Sequence, residues 1–354
     1  MLKEAISFLM NIKPDDEIII IFHNDCDGIS SCALMNKFLK NKIGKSADFI
    51  ISQPMPPTKN LLQRIRMSIP TKIIFLDLAI DQERVLIKRL ENICEILIID
   101  HHQISNNLNS KRTIHYNPLF KGKVYQSASY LTYKICSKIL DMKKYLWIAA
   151  VGIVGDYNID DSMDLIKEIK KEYPNLFSQE NDIRSAIFNS IFGHISNIIT
   201  AMKASRVSCE RVVKIMDSAE TITEIEKNKE FLDYYEKVQE EIDRMMINIK
   251  SSVDDSKRVI FYEIKSKYNL RSVIATKLSE IYPKKLVVVW DVIRNNVKFS
   301  ARNQDRTIDV EKVLREAASD FKYASVGGHE SAAGGSIRKE DFEDFKNALM
   351  LLVS

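Results

Sequence analysis

The sequence predicts an α/β protein with a parallel-sheet N-terminal domain, a helical connector and a smaller α/β C-terminal domain. Three observations carry that expectation. Short apolar runs alternate with helical spacings through the first 160 residues, the pattern of βαβ units. Three of those runs end in acids or histidines: residues 18–22 lead into His23-Asn24-Asp25-Cys26-Asp27-Gly28, residues 73–76 into Asp77, and residues 96–99 into Asp100-His101-His102. Glycine then nearly disappears after Gly155, with only Gly193 before Gly327, and apolar residues recur at helical intervals until strand signals return past Asp255.

The elements follow in order. Residues 17–22 read as a strand and 29–41 as a helix. A short strand at 48–52 precedes the Pro54-Met55-Pro56-Pro57 loop, then a helix at 58–68, a strand at 72–77, a helix at 81–91 and a strand at 95–100. Asp81 reads as a plain helix N-cap. Helices at 126–140 and 143–155 follow, the second ending at Val154-Gly155-Asp156. Residues 161–252 read as a helical layer and connecting helix, with one long charge-laced helix through 231–245 and no sustained heptad. After the polar break at 251–255, strands are expected at 259–264, 286–293 and 296–301, with helices at 269–281, 309–320 and 340–352. The domains expected are therefore 1–160, 161–252 and 253–354.

Composition narrows the class. A chain of 354 residues is long for one core, and 45% apolar with 28% charged residues is the make-up of a soluble globular protein. No apolar run approaches the ~18 residues of a membrane span, so no membrane partner is expected. Met1-Leu2-Lys3-Glu4 opens the chain without a signal-type apolar block, which argues against secretion. The five cysteines are scattered and form no CxxC pair, so a cytoplasmic protein without disulfides or a zinc knuckle is expected. Cys26 reads as a small buried residue between two acids, not as a nucleophile. Net charge is only +4, but residues 264–315 hold twelve Lys/Arg against five Asp/Glu, a +7 stretch able to hold a polyanion.

The acids and histidines matter as a set. In an open parallel sheet the C-terminal strand ends share the edge where ligands bind. One Asp after a strand is usually a cap or turn residue, and one His is usually structural. Four such clusters together are too costly to bury without cations. Mixed carboxylate and imidazole ligands suit Mn²⁺, with Mg²⁺ or Co²⁺ as substitutes, and the number of ligands suggests two ions sharing a bridging carboxylate. In the C-terminal region, Gly327-Gly328-His329-Glu330-Ser331-Ala332-Ala333-Gly334-Gly335 reads as a glycine-rich loop whose backbone can approach an anion closely.

These motifs resemble the DHH phosphoesterase superfamily. His23 to Gly28, Asp77, Asp100-His101-His102 and Gly152-Ile153-Val154-Gly155-Asp156 stand in the order of that family's four motifs. The run from Gly327 to Gly335 resembles the Gly-Gly-His signature of the DHH-associated domain in the RecJ-like branch. The resemblance implies metal ligation by His23, Asp25, Asp27, Asp77, His101 and Asp156, with Asp77 as the bridge. It implies that Asp100 orients a ligand histidine and that His102 contacts substrate phosphate and helps the leaving group. Arg302, Gly327, Gly328, His329, Gly334 and Gly335 are the implied phosphate contacts, with the active site in a cleft between lobes. The activity it implies is two-metal hydrolysis of single-stranded DNA, RNA or short oligonucleotides to nucleoside monophosphates. A phosphodiesterase or phosphatase of small nucleotides, such as dinucleotides or 3′-phosphoadenosine phosphate, is the near alternative. A replication scaffold with a GINS-type partner is a third reading; it is disfavoured because every ligand position is filled.

Overall fold

The computed structural model describes residues 1–122, 124–249 and 257–353. The chain divides into two compact units, 1–203 with 207–235 and 204–206 with 236–354.

The first unit is built on five parallel strands, β1 (Ile18–His23), β2 (Phe49–Gln53), β3 (Lys72–Leu76), β4 (Glu95–Ile99) and β5 (Thr113–Tyr116), in the order β2-β1-β3-β4-β5. Helix α1 (Leu2–Met10) precedes them; α2 (Cys26–Ile43), α3 (Leu61–Met67) and α4 (Arg84–Leu90) connect the first four. The apolar runs are continuous because both faces are covered. Ile18, Ile20, Phe22, Ile74, Leu76, Leu97 and Ile99 face the larger core, which α1 and α2 share. Ile19, Ile21, Ile73, Phe75, Ile96 and Ile98 alternate to the other face, against Leu61 and Ile65 of α3 and Ile87 and Leu90 of α4.

Helices α5 (Ala128–Cys136) and α6 (Leu146–Gly155) pack on α2. The larger core continues through α7 (Met163–Glu172), α8 (Ile183–Phe188), α9 (Ile191–Ala204), α10 (Cys209–Ser218) and α11 (Ile222–Glu226). The long helix α12 (Lys229–Ile249) belongs to the first unit through residue 235 and to the second from 236 onward. The expected boundary at 252/253 lies outside the described residues.

In the second unit, β6 (Val259–Glu263), β7 (Leu286–Ile293), β8 (Asn296–Arg302), β9 (Ser325–His329) and β10 (Ala332–Arg338) form one sheet in the order β6-β7-β8-β10-β9. Only the β6–β7 pair is parallel. Helix α13 (Arg271–Ile281) packs on β7 and β8, while α14 (Val310–Ala317) and α15 (Phe342–Val353) share a core with Leu286, Val288, Val297 and Phe299.

Four expectations change. A fifth parallel strand, β5, follows the DHH triplet; it is four residues long and only alternately buried, too weak a pattern to stand out. Helix α2 begins at Cys26, not at 29, so Asp27 is helical. The glycine-rich run from Gly327 to Gly335 is a hairpin, β9 and β10, with its backbone paired in register (Gly334 with Gly327, Gly335 with Val326). Glycine argues against strand by propensity, but pairing with β8 overrides it. Finally, Asp81 is no N-cap: it is buried and accepts from the backbone N–H groups of Ser105 (2.6 Å) and Asn106 (2.7 Å), holding the segment after the triplet.

Candidate metal centre

The strand order reverses between β1 and β3, and ligands collect at such a switch point beyond the carboxyl ends of the strands. His23 ends β1 there. Asp25 caps α2, its Oδ1 accepting from the Gly28 N–H at 3.0 Å. Only glycine fits at 28, because a Cβ would lie 2.3 Å from the His23 carbonyl oxygen. Asp27, in the first turn of α2, reaches α5 and accepts from the Ala128 and Ser129 N–H groups at 2.6 and 2.9 Å.

Asp77 follows β3 in the left-handed region at φ 61°, a conformation Asp tolerates better than most residues but one that still stores strain. His101 follows β4, its Nε2 3.0 Å from Asp77 Oδ1 and its Nδ1 3.7 Å from Asp156 Oδ2. Asp156 comes from the end of α6, which approaches α2 closely because residue 155 is glycine: a Cβ there would sit 2.5 Å from that of Cys26. Cys26 is buried and burial pushes its thiol up to about 12, so it is not a nucleophile.

Seven side chains thus form three overlapping groups, each with ligand atoms within 4.8 Å of one another: His23–Asp25–Asp77, Asp77–His101–His102 and Asp27–His101–Asp156. Asp100 pairs with His102 (Oδ1 to Nδ1, 2.7 Å), not with His101, while the Asn117 side chain donates to the His102 carbonyl at 2.9 Å.

The electrostatics are those of a crowded acid cluster. Burial raises Asp156 to about 7, with Asp77 and Asp25 adding to the rise and His101 opposing it. Burial likewise pushes Asp27 well above the carboxylate range, with Asp77 and Asp156 adding to it. Burial disfavours charge on His23, but Asp25 and then Asp77 prevail and lift it to about 10. His101 is raised well above its usual value, Asp156 and Asp77 outweighing burial.

A cation fits this donor set. His23 Nδ1, Asp77 Oδ2, His101 Nδ1 and Asp156 Oδ2 are buried without a hydrogen-bond partner. His23 Nδ1 is 2.7 Å from Asp25 Oδ2 and 3.4 Å from Asp77 Oδ2, yet neither approach has hydrogen-bond geometry. Orphaned donors and acceptors this close together are costly unless something positively charged satisfies them.

The second unit brings together four of the expected phosphate contacts. Arg302, Gly327, Gly328 and Gly334 line a cavity of about 220 Å³ with Ser272 and Ser300. Gly335 is not in that lining, and the side chain of His329 lies outside the described residues. Sequence reasoning missed Ser272 and Ser300, which no motif marks, and Tyr125, whose ring centroid lies 4.9 Å from that of His101.

Residues 17–160 match the DHH family, N-terminal domain, and residues 257–354 match the DHHA1 domain. The chain is a DHH-family phosphoesterase. Among solved structures, this phosphoesterase is similar to RecJ from Thermus thermophilus in complex with Mn²⁺ (TM-score 0.75, 16% identity, 99% of this chain and 54% of that one). It is also similar to exonuclease RecJ bound to manganese (TM-score 0.71, 17% identity, 99% and 94%) and to CDC45 from Entamoeba histolytica (TM-score 0.61, 11% identity, 99% and 98%). The Thermus RecJ has also been solved with Mg²⁺. At these identities the likeness is one of fold, and the phosphoesterase spans about half the length of the Thermus protein. No curated protein matches it. No helix among the described residues is long and apolar enough to cross a membrane.

Proposed function

We propose that this phosphoesterase is a Mn²⁺-dependent phosphodiesterase, a single-strand-specific exonuclease or oligonucleotidase that releases nucleoside monophosphates. The observation that carries the reading is the overlap of three ligand groups through Asp77 and His101. Such sharing suits two neighbouring cations, held by His23, Asp25, Asp27, Asp77, His101 and Asp156, with Asp77 common to both. When bound, the ions would supply Lewis acidity and an activated water at neutral pH. The protein's own part is positional. Asp77 orients His101, Asp27 ties α2 to α5, and Asp100 holds the His102 ring so that its other nitrogen can meet a phosphate oxygen or the departing hydroxyl.

Arg302, His329 and the glycines at 327, 328, 334 and 335 contribute a phosphate grip, and the +7 stretch at 264–315 favours a polyanionic substrate over a small nucleotide. Residues 1–160 are the catalytic part, 161–252 the connector and 253–354 the substrate-binding part. Similarity in fold to CDC45 supports looking for a GINS-type replication partner alongside the enzymatic role.

End-labelled single-stranded DNA, RNA and a dinucleotide incubated with the purified protein and Mn²⁺ test the reading. Mononucleotides should accumulate from the strands faster than from the dinucleotide. A protein that released none from any of them would refute it. Preference for the dinucleotide would move the assignment to the small-nucleotide class.

A further inference from the structure

Tyr125 belongs to none of the recognised motifs, yet its ring lies against a histidine of the metal cluster. It lies in the stretch that leads into α5, whose first turn is held by the Asp27 carboxylate. Its backbone is tied to the segment directly after Asp156: the Tyr125 N–H donates to Asp161 Oδ2 at 3.1 Å, and the Asn158 side-chain amide donates to the Tyr125 carbonyl. The neighbouring Gln126 side chain donates to the Asp161 carbonyl at 2.9 Å. The ring itself lies against His101, tilted by 53°.

The hydroxyl has a distinct environment. It is half-buried. The carboxylates of Asp156, Asp77, Asp100 and Asp27 lie within electrostatic reach of it, and as a phenol it is a neutral hydrogen-bond donor. This bears on how an anionic substrate is received. Ionised carboxylates around the cluster repel phosphate, so a neutral donor near the ligands is suited to meet its oxygens.

We infer that Tyr125 is a further catalytic residue, whose hydroxyl donates a hydrogen bond to a non-bridging oxygen of the phosphodiester at the metal centre. The inference rests on the phosphodiesterase reading above. A donor aimed at a phosphoryl oxygen strengthens as negative charge gathers there in the transition state, so its loss should appear in kcat more than in KM.

Tyr125→Phe removes the hydroxyl and keeps the ring on His101. Its kcat on a single-stranded oligonucleotide should fall about 100-fold, the scale of losing one preorganised donor, with KM and Mn²⁺ affinity (free Mn²⁺ followed by electron paramagnetic resonance) within about twofold of the parent. Sulfur accepts hydrogen bonds poorly, so a phosphorothioate of one configuration should slow the parent more than Y125F. A kcat within twofold of the parent would overturn the inference. So would an equal fall in kcat and Mn²⁺ affinity, which would make Tyr125 a support for His101, or an identical thio effect in both proteins. If the parent cleaves no phosphodiester with Mn²⁺, the reading underneath fails and the inference goes with it; an active parent with an unimpaired Y125F removes the inference alone.

Discussion

Asp77→Asn separates metal binding from folding more cleanly than any other change. Asp77 touches both His101 (3.0 Å) and His23 (3.4 Å) and belongs to two of the three ligand groups, so losing its charge weakens both candidate cation positions. The backbone should not object, because Asn accepts the left-handed φ of 61° as readily as Asp does. Attraction to the two histidines is lost, but so is the repulsion that Asp77 exerts on Asp27 and Asp156. The metal-free melting temperature should therefore hardly move. With the parent, Mn²⁺ at about 100 times its dissociation constant adds roughly 2.7 kcal/mol to the folded state. The first unit has about 230 residues, for which each kcal/mol shifts the midpoint by about 2–4 °C, so Mn²⁺ should raise the parent's transition by about 5–11 °C. In D77N the rise should shrink to about 2 °C or less, and phosphoesterase activity should vanish. Differential scanning calorimetry with and without Mn²⁺ measures both terms. A full Mn²⁺-dependent rise in D77N would refute the metal assignment; a collapse of the metal-free transition would refute the charge argument.

Other outcomes follow from the same geometry. Because His23 is raised to about 10 and Asp156 to about 7 in the metal-free protein, both carry protons near neutrality that a cation must displace. Mn²⁺ binding should release protons and tighten as pH rises from 6 to 8; calorimetry in buffers of different ionisation enthalpy showing no release would contradict this. Gly152→Ala would put a Cβ 2.3 Å from Ser129 Oγ and 2.6 Å from Ser129 Cβ, which should cost about 1–3 kcal/mol in urea unfolding. Adding Ser129→Gly should recover much of that loss, and no recovery would mean the clash lies elsewhere. Asp81→Ala would leave the N–H groups of Ser105 and Asn106 without their acceptor, at a cost of about 2 kcal/mol, and should speed proteolysis within 103–109. Unchanged stability there would show that the anchor is dispensable.

Much of the site was legible because its signal is local. A strand buried on both faces must be apolar throughout, so the abrupt change to Asp or His at 23, 77 and 100 marks where each strand leaves the sheet. The ligand types and the order of the motifs stand in the linear chain. So do the first four parallel strands, since βαβ units fold from neighbouring segments. The weaker strands were not legible. Thr113–Tyr116 is too short to stand out and the β9–β10 hairpin is glycine-rich; each pairs with an edge that β4 or β8 offers.

The sequence by itself determined which residues could hold a cation and that they would share one sheet edge. Tertiary structure decided how they divide. Asp100 went to His102 and not to His101, Asp27 became both a cluster member and the acceptor for the first N–H groups of α5, and Asp81 was drawn inside to hold the segment after the triplet. It also decided that Tyr125 would lie against His101. The physical reason is the same in each case. A residue's type is set by the chain, but its partner is set by which other elements pack within hydrogen-bond reach, and those lie up to a hundred residues away in sequence.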